Sequence, residues 1–159
     1  MEHLLLLGLV MSLWESYKTS VFICHQVLNC NIDFAIISAQ NPAGVTGHPY
    51  LNLRRDKEFQ AYLNQQKLPY RSVIGCAPDH SFQEKSWIVL CEKNTAITLA
   101  RQFEQNAIYW VEQGELFLVP VLLTQHEESL GNFYVAGCPA PVAICHRRSL
   151  PNVFWSYSG

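Results

Sequence analysis

Apolar and polar positions alternate along the chain in two periods, and these predict its elements. Ser12–Tyr17 reads as a helical turn capped by Ser12, and alternation from Lys18 to Cys24 predicts a strand. Phe34-Ala35-Ile36-Ile37 is apolar throughout, as in a strand buried on both faces, and Pro42 cannot continue its ladder. Gly44, Gly47 and Pro49 then mark a loop. A helix is expected from Leu53 to about Gln66, capped by Asn52. Phe59, Tyr62 and Leu63 form its apolar face, and Arg54, Arg55, Asp56, Lys57 and Glu58 are solvated. Tyr70–Ile74 and Trp87–Cys91 read as strands joined by a loop over Gly75–Glu84. Asn94 is the expected cap of a second helix, whose stripe Ala96, Leu99, Ala100, Phe103 and Ala107 is the clearest helical pattern in the chain. Ala107–Val111 and Leu116–Val121 are strands, with Glu112-Gln113-Gly114-Glu115 as their hairpin turn.

The central order is strand-helix-strand-strand-helix-strand. It predicts a single α+β domain of ferredoxin-like order, with extra hairpin strands at both ends and the helices on one sheet face. Residues 1–12 read as an extension outside the domain. Apolar segments at Phe133-Tyr134-Val135, Val142-Ala143-Ile144 and Val153-Phe154-Trp155 read as a C-terminal flap over 123–159, covering the other face.

Composition narrows the class. The chain has 159 residues, 49% hydrophobic and 15% charged, enough for a core that needs no metal or disulfide staple. Its formal net charge of −2 disfavours nucleic acid as a partner. Arg54, Arg55, Lys57 and Lys67 are basic, but Asp56 and Glu58 interleave them. The apolar run near Leu4–Met11 lacks a basic lead and falls short of a membrane span, so neither export nor membrane insertion is expected. Six cysteines without an export signal read as buried thiols. The nearest metal pattern, Cys24-His25 and Cys30 with Cys138 and Cys145-His146, has the spacing of no zinc ribbon or finger. No metal or cofactor is implied.

One family resemblance emerges. Leu13-Trp14-Glu15-Ser16-Tyr17, Asn41-Pro42, Asn52, Leu63, Gly75, Glu84 with Ser86, Ala100-Arg101-Gln102-Phe103 and Gln105-Asn106-Ala107 together resemble the bacterial domain-of-unknown-function family three-two-nine-three. The likeness runs from Leu13 to Leu122. It implies a small bacterial, cytoplasmic protein and carries no activity with it.

Polar residues gather at the expected element ends. Gln40 and Asn41 follow a buried strand, Asn52 opens a helix, Glu84 and Ser86 precede or enter an apolar strand, and Gln105 ends a helix beside Asn106. Element termini carry unpaired backbone groups and are common docking places. Gln40, Asn41, Asn52, Glu84, Ser86 and Gln105 are therefore the candidate ligand-binding residues, suited to a polar small molecule, an amide or a nucleobase edge. Each also has a structural explanation: Asn41-Pro42 as a turn, Asn52 as a cap, and Gln105 and Asn106 as a helix end. Glu84 is explained least, because a carboxylate facing a core must be partnered. No P-loop, Gly-rich dinucleotide motif or nucleophile elbow occurs. The preferred reading is a non-catalytic or regulatory module that binds a small polar ligand or a protein partner. The alternative is a small hydrolase or transferase using Glu84 or His80, next to Asp79, as general base.

Overall fold

The computed structural model describes residues 13–24, 32–136 and 142–146, with side chains as far as Phe133. The expectations for residues 1–12 and for 147–159 lie outside these, as do the side chains of Cys30, Cys138, Cys145 and His146. Among the described residues a short helix, α1, spans 13–18. There follow β1 (Val21–Cys24), β2 (Phe34–Ile37), a 3-10 turn (Pro42–Gly44), α2 (Pro49–Gln65), β3 (Tyr70–Cys76) and β4 (Gln83–Val89). The chain continues through α3 (Lys93–Gln102), β5 (Ala107–Glu112), β6 (Glu115–Pro120), β7 (Glu128–Ala136) and β8 (Val142–His146).

The fold is mixed α/β, but its sheet does not stay open. Strands pair antiparallel in the order β1-β3-β4-β2-β5-β6-β7-β8, and β8 returns to β1, closing a barrel. The expected hairpin strand at the N-terminal end is corrected: β1 pairs with β3 and β8 and not with β2. β7 and β8, from the C-terminal region, are members of the sheet. Closure leaves no free edge among the described strands, which sequence alternation alone does not reveal.

Period-2 alternation explains the two cores. Phe22, Phe34, Ile36, Val73, Ile88, Val111, Leu116 and Leu118 fill the barrel interior together with Trp14 of α1. The alternate residues Ala35, Ile37, Trp87, Val89, Ile108 and Trp110 face outward and pack against Phe59 and Leu63 of α2 and Ala96, Leu99 and Ala100 of α3. Both long helices therefore cover one stretch of the outer surface. α1 is tied to β7, where Trp14 Nε1 donates to Glu128 Oε2 at 3.4 Å and Lys18 Nζ lies 3.2 Å from Glu128 Oε1.

Several boundaries differ from the sequence reading. Asn52 is not the cap of α2. Pro49 occupies the first turn, and His48 caps it by accepting the Tyr50 N–H at its Nδ1, 3.1 Å away. Asn94 is likewise inside α3, with Glu92 at the cap. The expected loop from Gly75 to Glu84 shortens to 77–82, because β3 and β4 extend as a hairpin closed by Ala77 N–H to Phe82 O. Lys18 belongs to α1 and not to a strand. Asp56, read as solvated, is 2% exposed and accepts from Lys85 Nζ and Trp87 Nε1, both at 2.8 Å. Arg55 is also drawn in, donating from Nε to Ala39 O at 2.8 Å and from its fork to Phe103 O.

The β5–β6 turn forms as expected, with Gln113 at φ 50° and Gly114 at φ 76°, the twist of a two-residue type I′ hairpin. α2 and α3 end on Lys67 (φ 55°) and Glu104 (φ 56°) in the left-handed region, followed by Leu68 N–H to Leu63 O and Gln105 N–H to Ala100 O. No helix among the described residues is long and apolar enough to cross a membrane.

Candidate functional site

A cavity of about 320 Å³ opens at one mouth of the barrel. Its floor comes from inward positions of five strands: Phe22, Ile36, Gly75, Glu84 with Ser86, and Tyr109. Alternation along β4 dictates this, because Ile88 faces the barrel core, so Ser86 and Glu84 share its side. Gly75 stands opposite Glu84 in the β3–β4 register. Helix α1 and the segment 38–46 form the rim.

Glu84 is fixed from outside its own strand. Asn41 Nδ2 donates to Glu84 Oε1 at 2.9 Å. The Asn41 amide is oriented in turn, because its Oδ1 accepts from Asn52 Nδ2 at 2.8 Å and from the Gly47 N–H at 2.9 Å. Asn52 Oδ1 also accepts the Asn41 backbone N–H at 2.9 Å, so the two side chains clasp each other. Asn41 lies at φ 49°, ψ 63°, a left-handed conformation that Asn adopts more readily than most residues. Glu84 keeps partial exposure through the mouth, but protein crowds its carboxyl. This desolvation pushes its pKa up to about 7, against the opposing pull of Asn41 and the Ser38 hydroxyl.

A second polar group faces it from α1 and β5. Asn106 Nδ2 donates to the Tyr17 hydroxyl at 3.1 Å, and the Tyr109 hydroxyl donates to the Tyr17 carbonyl at 2.6 Å. Burial raises the pKa of Tyr17, with a further push from the Glu84 charge. Tyr109 is raised more strongly, mainly by burial. Burial also raises the Cys76 thiol, so these three lining groups stay neutral near pH 7. Among the described residues Glu84 alone brings charge to the lining. Gly44 closes over Asn106 at φ +75°, where an added Cβ would stand 2.7 Å from Asn106 Nδ2.

Of the six candidates, Asn41, Glu84, Ser86 and Gln105 line the cavity. Asn52 stands behind Asn41 and acts through it. Gln40 contributes its carbonyl, which accepts from Gln105 Nε2 at 3.1 Å; the same amide reaches Phe103 O at 3.1 Å. Gln105 is therefore a brace between α3 and the segment after β2. The left-handed residue at the α3 terminus is Glu104 and not Gln105 or Asn106. His80 sits in the exposed turn 77–82 and does not line the cavity. Tyr17, Tyr109 and Asn106 are absent from the six. The signal for Tyr109 was present, since alternation from Val111 turns it inward; Tyr17 needed the docking of α1, which no local pattern encodes. Among the described residues no group of three His, Cys, Asp or Glu could hold a metal ion.

Residues 37–108 match the model of the family described as Protein of unknown function (DUF3293), the family that the sequence resembles. The matched stretch contains Asn41, Asn52, Glu84, Ser86, Gln105 and Asn106, while Tyr17 and Tyr109 fall outside it. Searches of curated proteins and of solved structures return no match to the chain.

Proposed function

We propose that the chain is a non-catalytic binding module whose barrel mouth receives a small molecule with a polar group and an apolar body. The observation that carries this reading is the Glu84 carboxyl, held by an amide that is itself held twice, within a cavity otherwise lined by apolar, hydroxyl and amide groups. A carboxyl raised in pKa by burial costs the fold stability, and such groups concentrate where a ligand supplies the missing partner. The volume is at the lower end of the range for ligand sites, which fits a small molecule. We also read β2-α2-β3-β4-α3-β5, with sheet order β3-β4-β2-β5, as a ferredoxin-like unit completed into a barrel by the remaining strands.

The test is a thermal-shift panel of neutral and charged metabolites on the wild type, Glu84→Gln and Gly75→Val. The valine side chain would project into the cavity, where a Cβ at Gly75 meets ordinary contacts at 3.7 Å. A ligand at 100 times its Kd adds about 2.7 kcal/mol, or roughly 5–10 °C in Tm at this size. Ligand shifts lost in Gly75→Val support the reading, and shifts that persist in that variant place binding elsewhere.

A second reading is an enzyme, a small hydrolase or transferase with Glu84 as general base. The proximity of its pKa to neutrality favours that role. His80 does not share this support, because it stands away from the cavity lining.

A further inference from the structure

We propose that the barrel-mouth cavity selects an organic cation, a small ammonium or amidinium with an apolar body, whose N–H groups bind Glu84 and whose body lies against Tyr17, Phe22 and Tyr109. This deepens the binding-module reading and rests on it.

Among the described residues the charge of the polar lining is the single carboxyl of Glu84. Among the described lining residues there is no Lys, Arg or His to receive a carboxylate or a phosphate. The nearest basic neighbour on the strand, Lys85, points to the other face, where Asp56 holds it at 2.8 Å and its ammonium sits 4.4 Å from the Trp87 ring centre. Lys18, on the rim helix, is engaged by Glu15 and Glu128. The Asn41 amide cannot turn over to offer its oxygen, since that oxygen already accepts twice. One of its two N–H donors holds one carboxyl oxygen of Glu84 and the Ser38 hydroxyl supports the same carboxyl, which leaves further carboxylate lone pairs open to a donor from a ligand. Tyr109 commits its hydroxyl proton to the Tyr17 carbonyl, and its oxygen accepts from the Ser20 hydroxyl.

The apolar walls point the same way. Phe22 and Tyr109 stand edge to face at 4.8 Å between ring centres, and Tyr17 adds a third ring. Aromatic rings around one carboxylate are a favourable environment for an ammonium or amidinium and an unfavourable one for an anion.

Proton linkage gives an independent handle. The titratable groups that line the cavity beside Glu84 are Tyr17 from α1, Cys76 from β3 and Tyr109 from β5, all raised and neutral near pH 7. The segment 38–46 contributes Ser38, Asn41 and Thr46, which carry no charge. A cation would bind the ionised carboxyl, so its affinity rises as pH passes through about 7.

Isothermal calorimetry on the full chain tests this with benzamidine and benzylamine as cations, benzamide as the neutral match and benzoate as the anion. The cations are expected to bind at least tenfold tighter than benzamide, benzoate not to bind, and cation affinity to rise about tenfold between pH 6 and pH 8. Glu84→Gln should weaken the cations at least tenfold, and Gly75→Val should abolish their binding. Benzamide or benzoate binding as tightly as the cations, and lost in Gly75→Val, overturns the cation class while leaving the ligand site standing. Absence of any binding that Gly75→Val removes overturns both.

Discussion

Asn41 and Glu84 are 43 residues apart in sequence and joined by a 2.9 Å hydrogen bond from the Asn41 amide to the Glu84 carboxyl. Asn52 sets that bond from the first turns of α2, by accepting the Asn41 N–H and donating to its side-chain oxygen. Three elements thus meet at one carboxyl: the segment after β2, helix α2 and strand β4.

Removing the support should be felt at the carboxyl. Asn52→Ala leaves the Asn41 N–H without its acceptor and lets the Asn41 amide rotate. The expected cost is about 1–3 kcal/mol in a denaturant melt, the cost of one part-buried polar group left unpaired. The Glu84 pKa should also rise, because a hydrogen bond to the charged form is weakened. A titration by NMR of the carboxyl carbon checks the second effect, and an unmoved pKa would mean that Asn41 does not depend on Asn52.

Glu84 should make stability depend on pH in a defined direction. Its folded pKa of about 7 exceeds the ordinary value of 4.5, so between these values the folded state holds more protons than the unfolded chain. Its contribution to stability is therefore greatest below about pH 4.5 and declines as pH rises through 7. Glu84→Gln keeps the neutral shape and removes that loss. The variant should be more stable than wild type at pH 8 by about 1–2 kcal/mol after allowance for water at the cavity mouth, and nearly equal near pH 4.5. Urea melts at the two pH values decide it.

Asp56 should behave as a structural acid. It is buried between α2 and β4 and receives both Lys85 and Trp87. Asp56→Ala leaves the Trp87 indole N–H unpaired and frees Lys85, at an expected cost of about 3 kcal/mol. Lys85→Met should cost at least as much, because it leaves the buried Asp56 carboxylate without its cation and with the Trp87 N–H as its remaining partner. Chemical denaturation with both variants orders the two effects.

The C-terminus of α2 offers a stabilising change. Lys67 is exposed and takes φ 55°, where a side chain is strained and glycine is not. Lys67→Gly should raise stability by about 0.5–1 kcal/mol, net of the extra entropy glycine brings to the unfolded chain. A lowered Tm would show that the lysine contributes through its surface contacts.

The local pattern made a good part of this protein legible. Ala96, Leu99 and Ala100 of the helical stripe became the buried face of α3, because a period of 3.6 has few other uses, whereas Phe103 caps that helix and Ala107 already belongs to β5. Gln113-Gly114 became the β5–β6 turn, because both positions need positive φ. Asn41, Glu84, Ser86 and Gln105 came together because residues at the ends of neighbouring elements in one layered fold lie near one another.

Other features were decided only when the elements met. Phe34–Ile37 is apolar on both faces, so its pattern shows burial but not that one side is a barrel interior and the other a helix-packed wall. Closure depends on β8 reaching β1, a pairing between distant segments whose hydrogen bonds are all backbone and leave no mark on residue type. Asp56 sits in a charged run and reads as solvated, yet the rotation of α2 against β4 buries it under Trp87. Asn52 has the composition of a helix cap, but Pro49 and His48 start the helix one turn earlier and turn its amide toward Asn41. Sequence by itself determined the periodicity of each element and which polar residues stand at element ends. Tertiary structure determined which of those residues share a cavity, because a hydrogen-bond partner is selected by distance in space and local sequence specifies only direction along the chain.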